Sequence, residues 1–216
     1  MSPHPLTRAV RDGRAAVVGG VLLALSFGVE LVHPVQQKDG TVDEPVTIAV
    51  LIAMWGLAML CFTLTFARLG RLHGEAGSPF SRAGRVGVRT AMLGGSLHVL
   101  FAVVVGITAT VSGSPWEPSF VLFAFGFLLL VVGGVLLGVA VRRRGVLPGA
   151  AVPLWSGAAA AFVAIAVFTD PWHDLALLGY ASSWVVLGLD LYRRTDGRSP
   201  ISGAQEPTPV VTSRTA

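Results

Sequence analysis

The sequence predicts an all-α protein, a polytopic bundle of six transmembrane helices with both termini in the cytoplasm. Three observations carry that reading. Hydrophobic residues make up 53% of the 216 and charged residues only 13%, with a mean hydropathy of +0.69. A soluble domain carries about 25% charge, so a chain this apolar needs lipid as its solvent. Six apolar runs fill most of the length, at about 15–32, 46–67, 88–111, 118–141, 150–168 and 172–191. With a rise of about 1.5 Å per residue, about 20 residues cross a hydrocarbon core about 30 Å thick. Finally, 15 of the 16 basic residues fall on one side of these runs, and only Lys38 falls on the other. Basic flanks stay inside, and an even number of spans returns the chain to the side it left, so both arguments place the termini together.

Taken in order, residues 1–14 form a basic amino arm carrying Arg8, Arg11 and Arg14. The arm and first run have the layout of a signal sequence, but the apolar stretch continues through Val29, Leu31 and Val32 with no small-x-small cleavage site. It reads as a retained anchor. Proline follows at Pro34, and a short acidic outer loop with Asp39, Asp43 and Glu44 leads to Pro45 and span two. The internal stretch 68–89 is basic and interrupted by Gly70, Gly74, Gly77, Gly84 and Gly87. It lacks the GxxxxGK[ST] order of a phosphate-binding loop and reads as a flexible cytoplasmic linker. Span four begins Ser114-Pro115-Trp116-Glu117, a capping-box pattern with proline at the first helical position. Span six begins Asp170-Pro171-Trp172, the same device with an aspartate cap. Trp116 and Trp172 fall where an outer aromatic belt belongs. Residues 196–216 are rich in Ser, Thr, Pro and Gly and read as a disordered cytoplasmic tail. The membrane domain is then 15–195.

Small residues recur at helix-packing intervals: Gly20, Ala24 and Gly28; Gly134 and Gly138; Ser156, Ala160 and Ala164. Such rows let backbones approach closely in lipid, and six helices need many seams inside the bundle. Val17–Leu25 (VVGGVLLAL) echoes Val131–Val139 (VVGGVLLGV) in spans that run in opposite senses, a weak hint of an inverted 3+3 repeat. The lone Cys61 excludes an internal disulfide and a thiolate metal cluster, and it reads as a small core residue. The net charge of +4 is distributed as a topology signal and as a handle for anionic lipid headgroups, not as a nucleic-acid footprint. The bias to Arg, Ala, Gly and Val suits a GC-rich bacterial genome, which makes the bacterial cytoplasmic membrane the expected compartment.

Ionisable groups within a membrane are costly, so each asks for a partner or a purpose. His98 lies about 15 Å into span three, near the midplane. It reads first as a neutral imidazole bonded to a serine or threonine of a neighbouring helix, and second as a proton relay or ligand contact. A bis-histidine haem would need a second histidine at that depth, and the sequence supplies none. Glu30 and His33 stand at i, i+3 near the outer end of span one, and Asp170 and His173 repeat the spacing at span six, beside Asp174. Carboxylate-x-x-His pairs from two helices can meet on a metal, so Glu30, His33, Asp170 and His173 are the candidate ligands. The plainer reading is helix capping and ordinary interfacial polarity. Asp190 with Arg193 and Arg194 at i+3 and i+4 is common salt-bridge spacing. Gly94-Gly95-Ser96-Leu97-His98 lacks a GxSxG order, and a serine two residues from a histidine points elsewhere around a helix.

The turn Arg142-Arg143-Arg144-Gly145-Val146-Leu147-Pro148 and the ending Gly179…Trp184…Gly188…Tyr192-Arg193-Arg194 resemble those of small six-span actinobacterial integral membrane proteins, a group with no known activity. The resemblance implies compartment and topology alone. Three functional readings follow: a non-enzymatic accessory or interaction subunit, which leads; a small-solute or proton-coupled carrier using Glu30 and His98; and an outer-leaflet enzyme using Glu30, His33 and His173. Cofactors and catalytic residues stay unassigned. The partners implied are the bilayer, its anionic headgroups, and a membrane protein or a second copy of the chain.

Overall fold

The computed structural model describes residues 5–32, 37–38, 41–42, 45–75, 81–113, 117–144, 147–167 and 172–195. They form helices α1 (Pro5–Val32), α2 (Pro45–Glu75), α3 (Arg82–Ser112), α4 (Phe120–Arg144), α5 (Ala151–Ala166) and α6 (Trp172–Thr195). Between α1 and α2, β1 (Gln37–Lys38) and β2 (Thr41–Val42) make a two-residue antiparallel ladder with Gln37 opposite Val42. Single 3₁₀ turns at Glu117–Ser119 and Pro148–Ala150 lead into α4 and α5. The proline caps expected before α4 and α6 lie at 114–116 and 170–171, outside the described residues.

Five helices are long and apolar enough to cross a membrane, and α5, with 16 residues, is shorter. At about 1.5 Å per residue α5 covers only about 24 Å. The expected span 150–168 gives way at its start to the 3₁₀ turn ending at Ala150 and at its end to Val167, whose φ of −122° and ψ of 91° leave the helical region. A short helix in a bundle of long ones is accommodated by local thinning or by neighbours that shield its ends.

Each helix packs on its neighbours in sequence, and α6 closes back on α1, so the six form a ring. Glycine contacts show the neighbours to be antiparallel. Gly13 lies on Gly188 and Gly20 on Ala181; Gly87 lies on Leu137 and Gly94 on Gly126. The alternation brings every described arginine side chain to one end of the ring. It also excludes the inverted 3+3 repeat. Matching each helix to the one three places on keeps the cyclic order while reversing helix direction. A two-fold axis in the membrane plane reverses both, so the echo between α1 and α4 is local similarity.

The linker expected over 68–89 is mostly helix: α2 continues to Glu75 and α3 starts at Arg82, leaving only 76–80 outside the described residues. Its glycines serve helix contact rather than flexibility. A Cβ on Gly70 would touch Val88, and one on Gly87 would lie 2.9 Å from the Leu137 nitrogen. Arg71, Arg82, Arg85 and Arg89 meanwhile stay exposed, which gives both helices an amphipathic end. Ser81 caps α3 by accepting a hydrogen bond from the Gly84 N–H, and Gly113 ends it with φ 70°, the left-handed value glycine adopts at no steric cost. The amino arm is likewise the first turns of α1, with Gly13 buried against α6.

The expected small-residue rows pack within the bundle, with exceptions. Gly134 meets Ala158 and Leu154, Gly138 meets the Trp155 indole, and Ala160 lies beside Gly179. Gly28, however, faces open space, and Ser156 is exposed. Cys61 is half-buried beside Gly19 on the α1–α2 boundary rather than in the core.

Two seams are the tightest. A Cβ on Gly188 would fall 2.6 Å from the Gly13 carbonyl oxygen, and one on Gly94 2.6 Å from that of Gly126. Both are far inside contact distance and both meet backbone, which cannot swing away. Gly94→Ala and Gly188→Ala should each cost about 1–3 kcal/mol through overpacking, read as a lower melting temperature in detergent. Gly28→Ala, with nothing within 4 Å of its Cβ, should be neutral or gain up to about 1 kcal/mol in helix propensity. Equal losses at all three positions would contradict the assignment of the seams.

Candidate functional site

The middle of the ring is filled by aromatic side chains, because the inward stripes of α1, α2, α3, α4 and α6 carry them at helical spacing. Trp55 touches Phe27 edge-on at 5.1 Å between centroids and Phe127 at 5.7 Å. Phe127 reaches Tyr180 at 5.9 Å, and Phe62 stacks on Trp184 at 4.1 Å with planes only 12° apart. Phe66 continues the column towards the arginine end, edge-on to Trp184 at 4.9 Å. Offset and edge-to-face pairs of this kind contribute about 0.5–1.5 kcal/mol each beyond their burial.

His98 sits in this column, fully buried. Its ring lies 4.5 Å from Phe127, 5.6 Å from Trp55 and 5.6 Å from Phe123. The expected bond to a serine or threonine of another helix is absent. Nδ1 instead pairs at 2.9 Å with the carbonyl of Gly94, one turn back on α3. A carbonyl only accepts, so Nδ1 carries the proton and Nε2 presents a lone pair. The local bond wins because the i−4 carbonyl is always within reach of a helical side chain. Gly126 makes room for the imidazole: a Cβ there would lie 2.6 Å from His98 Nδ1. Among the described residues, neither His98 Nε2 nor the Trp55 Nε1–H has a hydrogen-bond partner. Ser96 is exposed, on a different face of α3 from His98, as the two-residue spacing requires.

The outer polar residues do not assemble into one described cluster. His33 and Asp170 lie outside the described residues, which leaves each expected carboxylate-x-x-His pair with one described member. Glu30 is half-buried near the end of α1 and makes a contact within the protein. His173 Nδ1 lies 2.9 Å from the carbonyl of Ala164 in the last turn of α5. Helix C-termini leave carbonyls without intrahelical donors, so His173 joins the end of α5 to the start of α6. Asp174 is buried at 7% exposure in the first turn of α6, where a carboxylate suits the positive end of the helix. No three His, Cys, Asp or Glu side chains among the described residues come close enough to hold a metal.

A wide concavity lies elsewhere. An apolar groove of about 540 Å³ runs along the outward side of the α2–α3 boundary. Its floor is made by Ala49, Ala53, Gly56, Ala102 and Gly106, and its rims include Leu57 and Ile107. Gly56 and Ala102 meet at the bottom, where a Cβ on Gly56 would lie 2.9 Å from that of Ala102. The sequence did carry a signal for it. Ala49, Ala53 and Gly56 in one run and Ala102 and Gly106 in the next have small-residue spacing. Nothing in the sequence alone told which small rows face outward. The second cavity, about 10 Å³ between α4, α5 and α6, has room for a single water.

No protein-family model, curated protein or solved structure matches the chain.

His98 is held by packing on every side, so its size should matter more than its nitrogens. His98→Ala should cost about 2–5 kcal/mol through the cavity left between Trp55, Phe123 and Phe127. His98→Phe keeps a ring and removes the unpaired nitrogen, and should stay within about 1.5 kcal/mol of the parent. Thermal denaturation in detergent separates the two. A phenylalanine variant as damaged as the alanine variant would show that the imidazole does something packing does not explain.

Proposed function

We propose that the chain is a non-catalytic interaction subunit of the bacterial cytoplasmic membrane, with both termini in the cytoplasm, and that the α2–α3 groove receives a membrane-buried helix of a partner protein. The groove carries this reading. It is a wide concavity, its lining is apolar, and small residues such as Ala49, Ala53, Gly56, Ala102 and Gly106 contribute to it. In lipid, helices associate through close packing, and a small-residue floor is what lets a second backbone come near. The ring interior favours the same reading over a carrier, since rings of Trp55, Phe62, Phe127, Tyr180 and Trp184 occupy the space a solute would use. The metal-enzyme reading draws on His33 and Asp170, which lie outside the described residues, and on His173, whose Nδ1 already bonds to Ala164.

Two experiments test the two halves of this reading. A reporter active only in the cytoplasm should give signal after Gly77, Gly145 and Gly203 and stay silent after Gly40 and Gly113. Any reversal breaks the orientation. A photoreactive residue placed at Ala53 or Val103 in the groove should trap a protein of discrete mass in living cells, whereas one at Phe162, exposed on α5, should trap lipid only. Adducts of lipid alone at all three positions would remove the partner, and an adduct of twice the chain mass would make the partner a second copy.

A further inference from the structure

We infer that the arginine-bearing edge of α3 and α4 is a binding site for an anionic phospholipid headgroup. The tight seam between these helices sets their register: Gly87 lies against Leu137 and Gly94 against Leu130. Continuing that register brings Arg82 level with Val141 and Arg142, so the start of α3 and the end of α4 share one edge. Arg82, Arg85, Arg89 and Arg143 are exposed there. Arg85 makes a further contact within the protein, and Arg142 turns to the other flank of α4, where it lies over the Trp155 ring of α5 at 5.4 Å. Neither α3 nor α4 contains a single aspartate or glutamate.

A guanidinium stays charged at any physiological pH, so this edge gathers positive charge with no counter-charge on its own helices. The positive end of the α3 dipole adds to the positive potential rather than offsetting it. The opposite edge, between α1 and α6, differs: Arg14 and Arg193 stand there with Asp190 on the same helix as Arg193. Charge complementarity therefore picks out one edge among the basic ends. A lipid phosphate matches it in chemistry, because arginine binds phosphate through paired N–H donors. It also matches in position. Directly along the same face run the exposed Leu93 and Leu100 of α3 and Val132 and Val135 of α4, a lipid-facing wall against which acyl chains lie while the headgroup meets the arginines. Arg89, about 10 Å along the helix from Arg82, is exposed on the same face, and its length suffices for a snorkelling side chain to bring the charge back to the interface. This site is independent of the groove between α2 and α3.

The purified chain in neutral detergent is titrated with phosphatidylglycerol, phosphatidylcholine and inorganic phosphate, with melting temperature and native mass spectrometry as readouts. Phosphatidylglycerol should raise the melting temperature and remain bound in the gas phase, and the shift should shrink between about 50 and about 500 mM salt, as added ions shorten the reach of charge. Replacing Arg82, Arg89 and Arg143 together by glutamine should weaken it by roughly 100-fold, from about fivefold per arginine. Arg14→Gln with Arg193→Gln should leave it within about threefold of the parent, because those positions lie beyond contact with the headgroup. Equal effects of phosphatidylcholine, or of free phosphate, would overturn the proposal, as would equal losses in the two arginine variants. Should the triple variant fail to fold, the single change Arg82→Gln, expected to cost about fivefold, carries the same test.

Discussion

In a hydrocarbon solvent an apolar side chain gains nothing by leaving lipid for protein, so six apolar helices hold together only where their backbones come close. That requirement shapes this molecule. The α1–α6 closure and the α3–α4 seam are built on glycine facing glycine, with Gly13 against Gly188 and Gly94 against Gly126. Close backbones leave little width between helices, so the ring has an interior only a few rings wide, and large planar side chains fill it. Phe62, Phe127 and His98 are fully buried there, and Tyr180 and Trp184 nearly so. The seams set the diameter, and the diameter selects the aromatic core.

The same geometry explains why function points outward. Inside, several polar groups return to a carbonyl of their own helix: His98 Nδ1 to Gly94, Ser183 to Tyr180 and Thr65 to Cys61, while His98 Nε2 and Trp55 Nε1 have no partner among the described residues. Such bonds satisfy the side chain without tying helices to one another. Ser26 is an exception, donating across to the Leu51 carbonyl of α2. Outside, two surfaces remain unmatched by anything in the ring. One is the apolar α2–α3 groove and the other is the arginine edge of α3 and α4. They lie towards opposite ends of α3, so the helix presents small apolar residues at one end and exposed arginines at the other.

Much of the fold was legible because hydropathy and helix length obey one constraint, the thickness of the bilayer. Four of the five long helices contain the expected spans, α4 begins two residues later than its span because Pro118 and Ser119 belong to a 3₁₀ turn, and arginine placement put all the basic ends together. Elsewhere the physics was ambiguous in one dimension. Glycine signals freedom in water and contact in lipid, so Gly70, Gly84 and Gly87 read as a linker although they pack. Helix α5 was overestimated because Ala150 closes a 3₁₀ turn and Val167 leaves the helical region, and neither apolar residue differs in hydropathy from the helix it flanks. The histidine at midplane depth was found at once, but its choice between a neighbouring helix and its own carbonyl depends on the aromatic walls, which come from two other helices. The groove went unread for a different reason: small-residue rows are frequent here, and exposure is decided by the ring as a whole.

Ring closure between α1 and α6 is the claim on which the rest stands, and a crosslink measures it directly. The contacts of Gly20 with Ala181 and Val185, and of Gly188 with Gly13 and Val17, place Val17 and Val185 level across that seam. In a Cys61→Ala chain carrying a protease site between Gly77 and Ser78, the pair Val17→Cys and Val185→Cys would be oxidised in native membranes and then cut. The account predicts that the two fragments stay joined without reductant and part with it, whereas Val17→Cys with Leu136→Cys, on opposite sides of the ring, gives separate fragments either way. Fragments that separate for the first pair, or a crosslink that forms for the second, would contradict the closed ring.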